Sequence, residues 1–262
     1  MKVYGLALVK DEADVVGECI RHALGFCDVV AVLDNGSEDG SADVIEQLVA
    51  EHPDRVRSYG VEHRPYVLDL RRDMYDDLHR DLSADDWFLQ LDVDEFLVGD
   101  PRPTLARATA DGFNQVATWQ AQFQFTDVDL ADWEAGRDDP ALSIIDRRRY
   151  YRVEWREGRF WRNDPAQAWT GQDRNLPDFA DRLARYSLVN RHYQLRDPDQ
   201  IAKRLANRVK AKTDTAFAHV TSTDWRSEVV PAKGLRYWEP GSTPRPWPWR
   251  YYLTMAKARV GR

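Results

Sequence analysis

The stretch Trp87-Phe88-Leu89-Gln90-Leu91-Asp92-Val93-Asp94-Glu95 decides the fold. Its apolar first half fits a buried strand, and it then breaks into three carboxylates within four residues. Ligands of an open parallel sheet bind outside the carboxyl ends of its strands. The meaning of the acidic end therefore depends on what the preceding strands bring beside it.

Reading outward toward the N-terminus, short apolar runs alternate with helical periodicity, the mark of successive βα units. Residues 3–9 (VYGLALV) predict a first strand. Asp11 and Glu12 open a helix in which Val15, Val16, Cys19, Ile20, Ala23 and Leu24 recur at helical spacing. Asp28 to Leu33 predicts the second strand, followed by the turn Asp34-Asn35-Gly36-Ser37-Glu38-Asp39-Gly40-Ser41 and a helix carrying Val44, Ile45, Leu48 and Val49. A third strand falls near Val56 to Val61. Pro65 suits the first turn of a third helix, whose Leu70, Met74, Leu78 and Leu82 line one side. Three loops then converge on one crevice: Lys10 to Glu12, Asp34 to Asp39, and Asp92 to Glu95.

Toward the C-terminus the pattern changes. Trp119, Ala121, Phe123 and Phe125 alternate against Thr118, Gln120, Gln122 and Gln124, which predicts a two-faced strand whose polar face suits a hydroxylated acceptor. Sheet structure continues around Tyr150 to Trp155. A last helix opens at Asp197-Pro198-Asp199-Gln200, with Asp197 as cap and Gln200 completing a capping-box-like arrangement. The Pro-rich stretch from Glu239 to Arg250 predicts irregular structure. Nine of the ten tryptophans follow residue 118 while the acidic motif precedes it, so the two halves, 1–112 and 113–262, are expected to do different jobs. Trp119, Trp155, Trp161 and Trp169 offer stacking faces, although most tryptophans of such a chain belong to its core. Trp247, Trp249, Tyr251 and Tyr252 among Arg245, Arg250, Lys257 and Arg259 form the residue mix of a membrane-surface element or of a tail packed back on the domain.

The chain has 262 residues and a formal charge of −7, with no basic stripe that would release counterions from a phosphate backbone. Nucleic acid is therefore not the expected partner. No run of about 18 apolar residues predicts a membrane span, and the N-terminus turns charged too early for a signal peptide; a cytoplasmic location is the expectation. Cys19 and Cys27 read as reduced thiols.

Breaking a sugar–diphosphate bond requires stabilising the charge on the departing diphosphate, which a divalent cation does as a Lewis acid held by oxygen ligands. Asp92 and Asp94, two residues apart where a strand runs out, offer such ligands, and Glu95 adds a third carboxylate at the same edge. Alone, a D-x-D triplet is a weak signal, because aspartate is common at strand ends. Its setting after three βα units and beside a second acidic loop strengthens it.

Together, VKDE (9–12), LDNGSEDGS (33–41) and LDVDEF (91–96) resemble the family 2 glycosyltransferases of the GT-A fold over roughly residues 1–100. The resemblance implies an α/β domain with a largely parallel central sheet, an elaborated acceptor-side half, a nucleotide-diphosphate sugar as donor, Mn²⁺ or Mg²⁺ as cofactor, and a hydroxylated acceptor: a glycan, a lipid-linked molecule or a small molecule. It implies that Val9, Glu12 and Asp34 hold the nucleoside, with Asp11 where the family has asparagine. Asp92 then lies between metal and ribose, and Asp94 binds the metal directly. Arg72 is the nearest match to a donor-side arginine, with Arg71 as its rival. His192, in Asn190-Arg191-His192-Tyr193, matches a downstream metal or phosphate ligand, and Arg191 or Arg196 pairs with phosphate. An inverting transfer also needs a carboxylate to take the acceptor proton. Asp173 stands near the family's Glu-Asp pair, with Gln172 in place of the glutamate, and Asp164 is the alternative.

Four other readings compete. Asn35 to Glu46 nearly satisfies an EF-hand loop, but a strand precedes it and Asn replaces the first Asp. A haloacid-dehalogenase-type phosphohydrolase would use Asp92 as nucleophile, yet its motif ends the first strand of its domain. Sugar nucleotidyltransferases need a glycine-rich loop that VKDEADVV lacks. A nucleotide-sugar-binding module without turnover shares the same carboxylates.

Overall fold

Strand β1 (Val3–Val9) is buried along its whole length, and its alternation sorts the first half of the chain into layers. Val3, Ala7 and Val9 pack against Val16, Cys19 and Ile20 of α1 (Val16–Ala23) and, beyond β2 (Val29–Asp34), against Ile45 and Leu48 of α2 (Ser41–Glu51). Tyr4, Leu6 and Leu8 face the other way. After β3 (Val56–Val61) they meet Leu70, Met74 and Tyr75 of α3 (Leu70–Leu78). The computed structural model describes residues 1–64, 70–170, 175–211, 220 and 222–245; Pro65, Asp173 and the aromatic C-terminal segment from Trp247 lie outside them.

The remaining elements are β4 (Trp87–Asp92), β5 (Glu95–Leu97), α4 (Arg102–Ala110), β6 (Gln115–Phe123), α5 (Asp127–Glu134), α6 (Ile144–Arg147), β7 (Tyr150–Arg162), β8 (Leu183–His192), α7 (Pro198–Lys210) and β9 (Arg236–Tyr237). Among the described residues the strands form one sheet in the order β3-β2-β1-β4-β7-β6-β8-β5, with β9 on β7. β3, β2, β1 and β4 are mutually parallel, whereas β7 is antiparallel to β4 and to β6. This is the expected α/β architecture, parallel at its start and mixed beyond β4, and it is consistent with a GT-A-like domain.

The order forces a curl. Asp92 and Glu95 are at most about 11 Å apart along the chain, yet three strands separate β4 from β5 in the sheet. Laid flat, four interstrand steps would span roughly 19 Å. The second half of the sheet therefore bends back, so that β8 reaches the carboxyl end of β4. Glu95 pairs with His192 in the β5–β8 ladder, and the Tyr193 amide donates to the Asp94 carbonyl at 2.8 Å.

Two expectations change. The first helix begins at Val16, because the amides of Asp11, Glu12 and Ala13 bond sideways to Ser37, Ser41 and Asp39 instead of starting a helical ladder. The polar face of β6 is buried: Thr118, Gln120, Gln122 and Gln124 lie against β7 and β8, so it offers no open surface to an acceptor. Cys19 and Cys27 are buried and unpaired, as expected of reduced thiols. Among the described residues no helix is long and apolar enough to cross a membrane.

Candidate functional site

Sheet register sets the floor of the site. Val9 stands beside Asp34 in the β1–β2 ladder, and Leu8 beside Asp92 in the β1–β4 ladder. The loops after β1 and β2 are laced together. The Asp11 amide donates to Ser37 Oγ at 2.9 Å and the Ala13 amide to Asp39 Oδ2 at 3.0 Å, while Asp11 Oδ1 accepts from the Glu38 amide at 2.8 Å. Asp11 occupies the left-handed region at φ 54°, where a short polar side chain bonding its surroundings is better tolerated than most residues. Asp34 Oδ1 accepts from the Ser37 amide at 2.6 Å. Its other oxygen, Oδ2, is buried with no hydrogen-bond partner.

The acidic motif is ringed by guanidinium groups. Asp92 Oδ1 pairs with Arg71, and Oδ2 with Arg159 at 2.8 Å. Asp94 Oδ1 lies 3.3 Å from His192 Nε2, and Oδ2 lies 3.2 Å from Arg204 Nη1. Arg204 Nη1 also lies 3.2 Å from Glu12 Oε1, while Glu12 Oε2 pairs with Arg196. Glu95 turns inward, where it accepts from Arg159 and, at 2.7 Å, from Asn190 Nδ2. The pleat of β5 thus removes Glu95 from the open edge at which it was expected.

These contacts set the protonation states. Burial alone would raise the Asp94 carboxyl, but His192 and Arg204 hold it well below the usual carboxylate range. Asp92 is lowered against its own burial by Arg159 and Arg71. Burial dominates at Glu95, whose carboxyl rises to about 7 against the pull of Arg159 and His192. Burial likewise raises Glu12, opposed by Arg196. At His192 burial works against the charge, and Asp94 outweighs it and raises the imidazole.

Helix α7 closes the crevice from above. Asp197 caps it by accepting from the Gln200 amide at 2.9 Å; Ile201 and Leu205 anchor it on Phe125. Its other face carries Lys203, 3.2 Å from Asp11 Oδ1, and Asn207, which donates to Asp11 Oδ2 at 2.6 Å. Arg204, between them in sequence, completes the row over Glu12 and Asp94. Among the described residues, Nε of Arg204 and Nε of Arg159 are buried without a partner. The crevice thus holds two unspent cationic donors and, at Asp34, one unspent acceptor.

The structure brings Glu12, Asp92, Asp94, His192 and Arg196 together, with Val9 and Asp34 on adjoining rungs. The arginine that pairs with Asp92 is Arg71, and Arg72 is half-buried beside it on α3. Arg191 lies over the Trp238 ring, 5.2 Å from its centroid. Asp164 follows Arg162, the partner of Trp87 at the far end of β4, so about five residues of strand, roughly 16 Å, separate it from Asp92. There it accepts from Gln167 Nε2 and lines a polar cleft with Asn114, Arg162 and Arg182, out of reach of the acidic motif. Of the four tryptophans considered as stacking faces, Trp119, Trp161 and Trp169 are buried and Trp155 is exposed.

Arg159, Glu157 and Arg204 were not foreseen. The signal for the first two is Arg156-Glu157-Gly158-Arg159, a charged run inside a strand between Trp155 and Phe160, since charges at such a position demand partners. A Cβ at Gly158 would stand 2.3 Å from Gln115 Nε2 and 2.6 Å from Leu176 Cδ1, so both side-chain ends would have to move aside for any other residue.

A divalent cation fits this donor set in the chemistry of its oxygen ligands. Six carboxylates (Glu12, Asp14, Asp92, Asp94, Glu95 and Glu157) meet four guanidiniums (Arg71, Arg159, Arg196 and Arg204) and His192, and their oxygens are of the hard kind such a cation takes. The arrangement differs from a formed metal centre. Among the described residues no three acidic, histidine or cysteine side chains converge for ligation, and the Asp94 oxygens are taken by His192 and Arg204. Gln122 Nε2 donates to His192 Nδ1 at 2.9 Å, which puts the proton of neutral His192 on Nε2. Ligation through Nε2 would require the Gln122 amide to reverse.

No protein-family model matches the chain, and no curated protein matches it. Among solved structures, it is similar to the mannosyltransferase PcManGT from Pyrobaculum calidifontis, a structure in complex with GDP-Man and Mn²⁺, at 11% identity and a TM-score of 0.44, over 81% of this chain and 65% of that one. It is also similar to TarS of S. aureus, at 10% identity and a TM-score of 0.41, over 84% of this chain and 41% of that one. The chain thus spans less than two thirds of the length of either.

Proposed function

We propose that this chain transfers a sugar from a nucleotide-diphosphate donor to a hydroxylated acceptor with inversion, assisted by Mn²⁺ or Mg²⁺. The observation that carries the reading is a set of buried polar atoms with no partner among the described residues: Asp34 Oδ2 at the end of β2, and Nε of Arg159 and of Arg204, whose guanidiniums hold Asp92 and Asp94. Buried polar atoms are rarely left unpaired, and a nucleoside diphosphate meets both needs, donating from its base or ribose and accepting at its phosphates.

In this reading residues 1–112 hold the donor and 113–262 the acceptor. Val9, Glu12 and Asp34 cradle the nucleoside, and Asp92 faces the ribose and the metal. Arg71, with Arg72 next to it, carries the charge on the donor side. Asp94, Asp92 and His192 would hold the cation, whose chemistry is to offset the charge gathering on the departing diphosphate. Arg204 and Arg159 turn their free N–H groups to the phosphates, and Arg196 fixes Glu12. The row from α7 shuts water out of the crevice.

A thermal-shift panel tests this with UDP, GDP, dTDP, CDP and ADP, each with and without Mn²⁺, on wild type and Asp94→Ala. Saturation at 100 times Kd stabilises the fold by about 2.7 kcal/mol. One nucleotide stabilising wild type only with metal, and not the variant, is the expected result. Stabilisation by Mg²⁺ with a phosphate mimic, and by no nucleotide, would replace this reading with a phosphohydrolase.

A further inference from the structure

An inverting transfer needs a carboxylate oxygen that is free, ionised and open to the acceptor. The described carboxylates around the acidic motif can be taken one by one. Asp92 spends both oxygens on Arg71 and Arg159, and Asp94 on His192 and Arg204. Glu12 spends them on Arg204 and Arg196, Asp14 both on Arg196, and Glu95 on Arg159 and Asn190.

Glu157 differs. Its Oε1 is pinned by Arg159 Nη2 at 2.7 Å and by Gln120 Nε2 at 3.1 Å. Its Oε2 has no partner among the described residues, and the side chain is 31% exposed. The β4–β7 ladder ends at the Leu89–Phe160 pair, and β7 bulges between Phe160 and Gly158, so what ties Glu157 to Asp92 is a shared side-chain contact. One guanidinium, that of Arg159, touches both.

We infer that Glu157 is the general base of the transfer, an assignment that rests on the glycosyltransferase reading above. As the acceptor hydroxyl oxygen bonds to the anomeric carbon, its proton passes to Glu157 Oε2. The bond from the anomeric carbon to the diphosphate oxygen breaks, its electron pair leaving with the nucleoside diphosphate. The carboxylic acid so formed later returns the proton to solvent. The Arg159 and Gln120 contacts keep Oε1 fixed while Oε2 works.

The test follows release of nucleoside diphosphate, with water as acceptor, from UDP-glucose, GDP-mannose, dTDP-glucose, CDP-glucose and ADP-glucose. Glu157→Gln keeps an oxygen for Arg159 and Gln120 and loses only the basic site. It should slow release by about 100-fold or more, while the nucleotide-induced thermal shift stays at the wild-type value. In Glu157→Ala, added formate should restore release at least tenfold. If wild type turns over a donor and Glu157→Gln stays within threefold of it, or formate fails to rescue Glu157→Ala, the assignment is overturned and the glycosyltransferase reading survives. If wild type releases nucleotide from none of the five, that reading falls and takes Glu157 with it.

Discussion

Arg204 Nη1 stands 3.2 Å from Asp94 Oδ2 and 3.2 Å from Glu12 Oε1, so one guanidinium from α7 clamps the two acidic loops of the crevice together. A cation binding at Asp94 must displace it. Arg204→Ala should therefore raise Mn²⁺ affinity in the absence of nucleotide, measured by calorimetry. The same variant should weaken nucleoside diphosphate binding by at least tenfold, since hydrogen bonds to charged groups contribute about 1.5–3 kcal/mol. Unchanged metal affinity would show that Arg204 and the cation do not compete.

Asp34 holds one oxygen in the Ser37 turn and leaves the other buried and unpartnered. Asp34→Asn keeps the oxygen that Ser37 needs and removes a buried charge. Thermal stability should hold or rise, while nucleotide affinity falls about tenfold, the loss of one charge-assisted bond. A ligand-binding curve and a melting curve on the same sample check both halves.

Gly158 separates Glu157 from Arg159 at a point where a Cβ would crowd the side chains of Gln115 and Leu176. Gly158→Ala should destabilise the fold by about 1–3 kcal/mol through overpacking. It should also disturb the Glu157–Arg159 contact. Chemical denaturation gives the first number; the rate of donor turnover reports the second.

Away from the crevice, Asp138 receives Arg147 Nε at 2.9 Å and Arg148 Nη2 at 2.6 Å. Burial opposes its charge, but Arg147 and Arg148 prevail and draw its carboxyl from 3.8 to about 2. A lowered folded-state pKa stabilises above the unfolded value and loses that contribution as pH falls through the folded one. Stability should therefore decline between about pH 4 and 2, and Asp138→Asn should remove this limb. At neutral pH that variant should cost about 1.5–3 kcal/mol, because buried Arg148 loses its charged partner at Asp138 and keeps Asp129 at 3.6 Å and the Arg196 carbonyl. Urea titrations at pH 7 and at pH 3 measure both effects.

The parallel half was legible because each of its units buries a stripe that the local sequence displays. Val15 to Leu24 and Leu70 to Leu78 show their periodicity without reference to distant residues. Asp92, Asp94, Glu12 and His192 could be named by pattern, and the fold draws them together. What sequence spacing does not contain is nonlocal pairing. The curl that lays β5 on β8 places Glu95 against Arg159, and the antiparallel register of β7 carries Asp164 to the far end of β4, while Arg159 links Glu157 to Asp92. The glutamines of β6 were read as an exposed face because alternation reports two faces but not what covers each of them.

The exchange of β5 across the sheet also constrains how the molecule can be divided. A cut between residues 112 and 113 would leave Glu95–Leu97 on one fragment and its ladder partner, Asn190–His192, on the other. The N-terminal piece would expose Phe96, otherwise packed edge-on against Tyr193, and the C-terminal piece would carry an open strand edge, the usual template for aggregation. The proposed boundary at residue 112 is thus not a seam: neither piece is a module that gene fusion could transplant alone, and co-expressed fragments would have to recover each other through that three-residue strand.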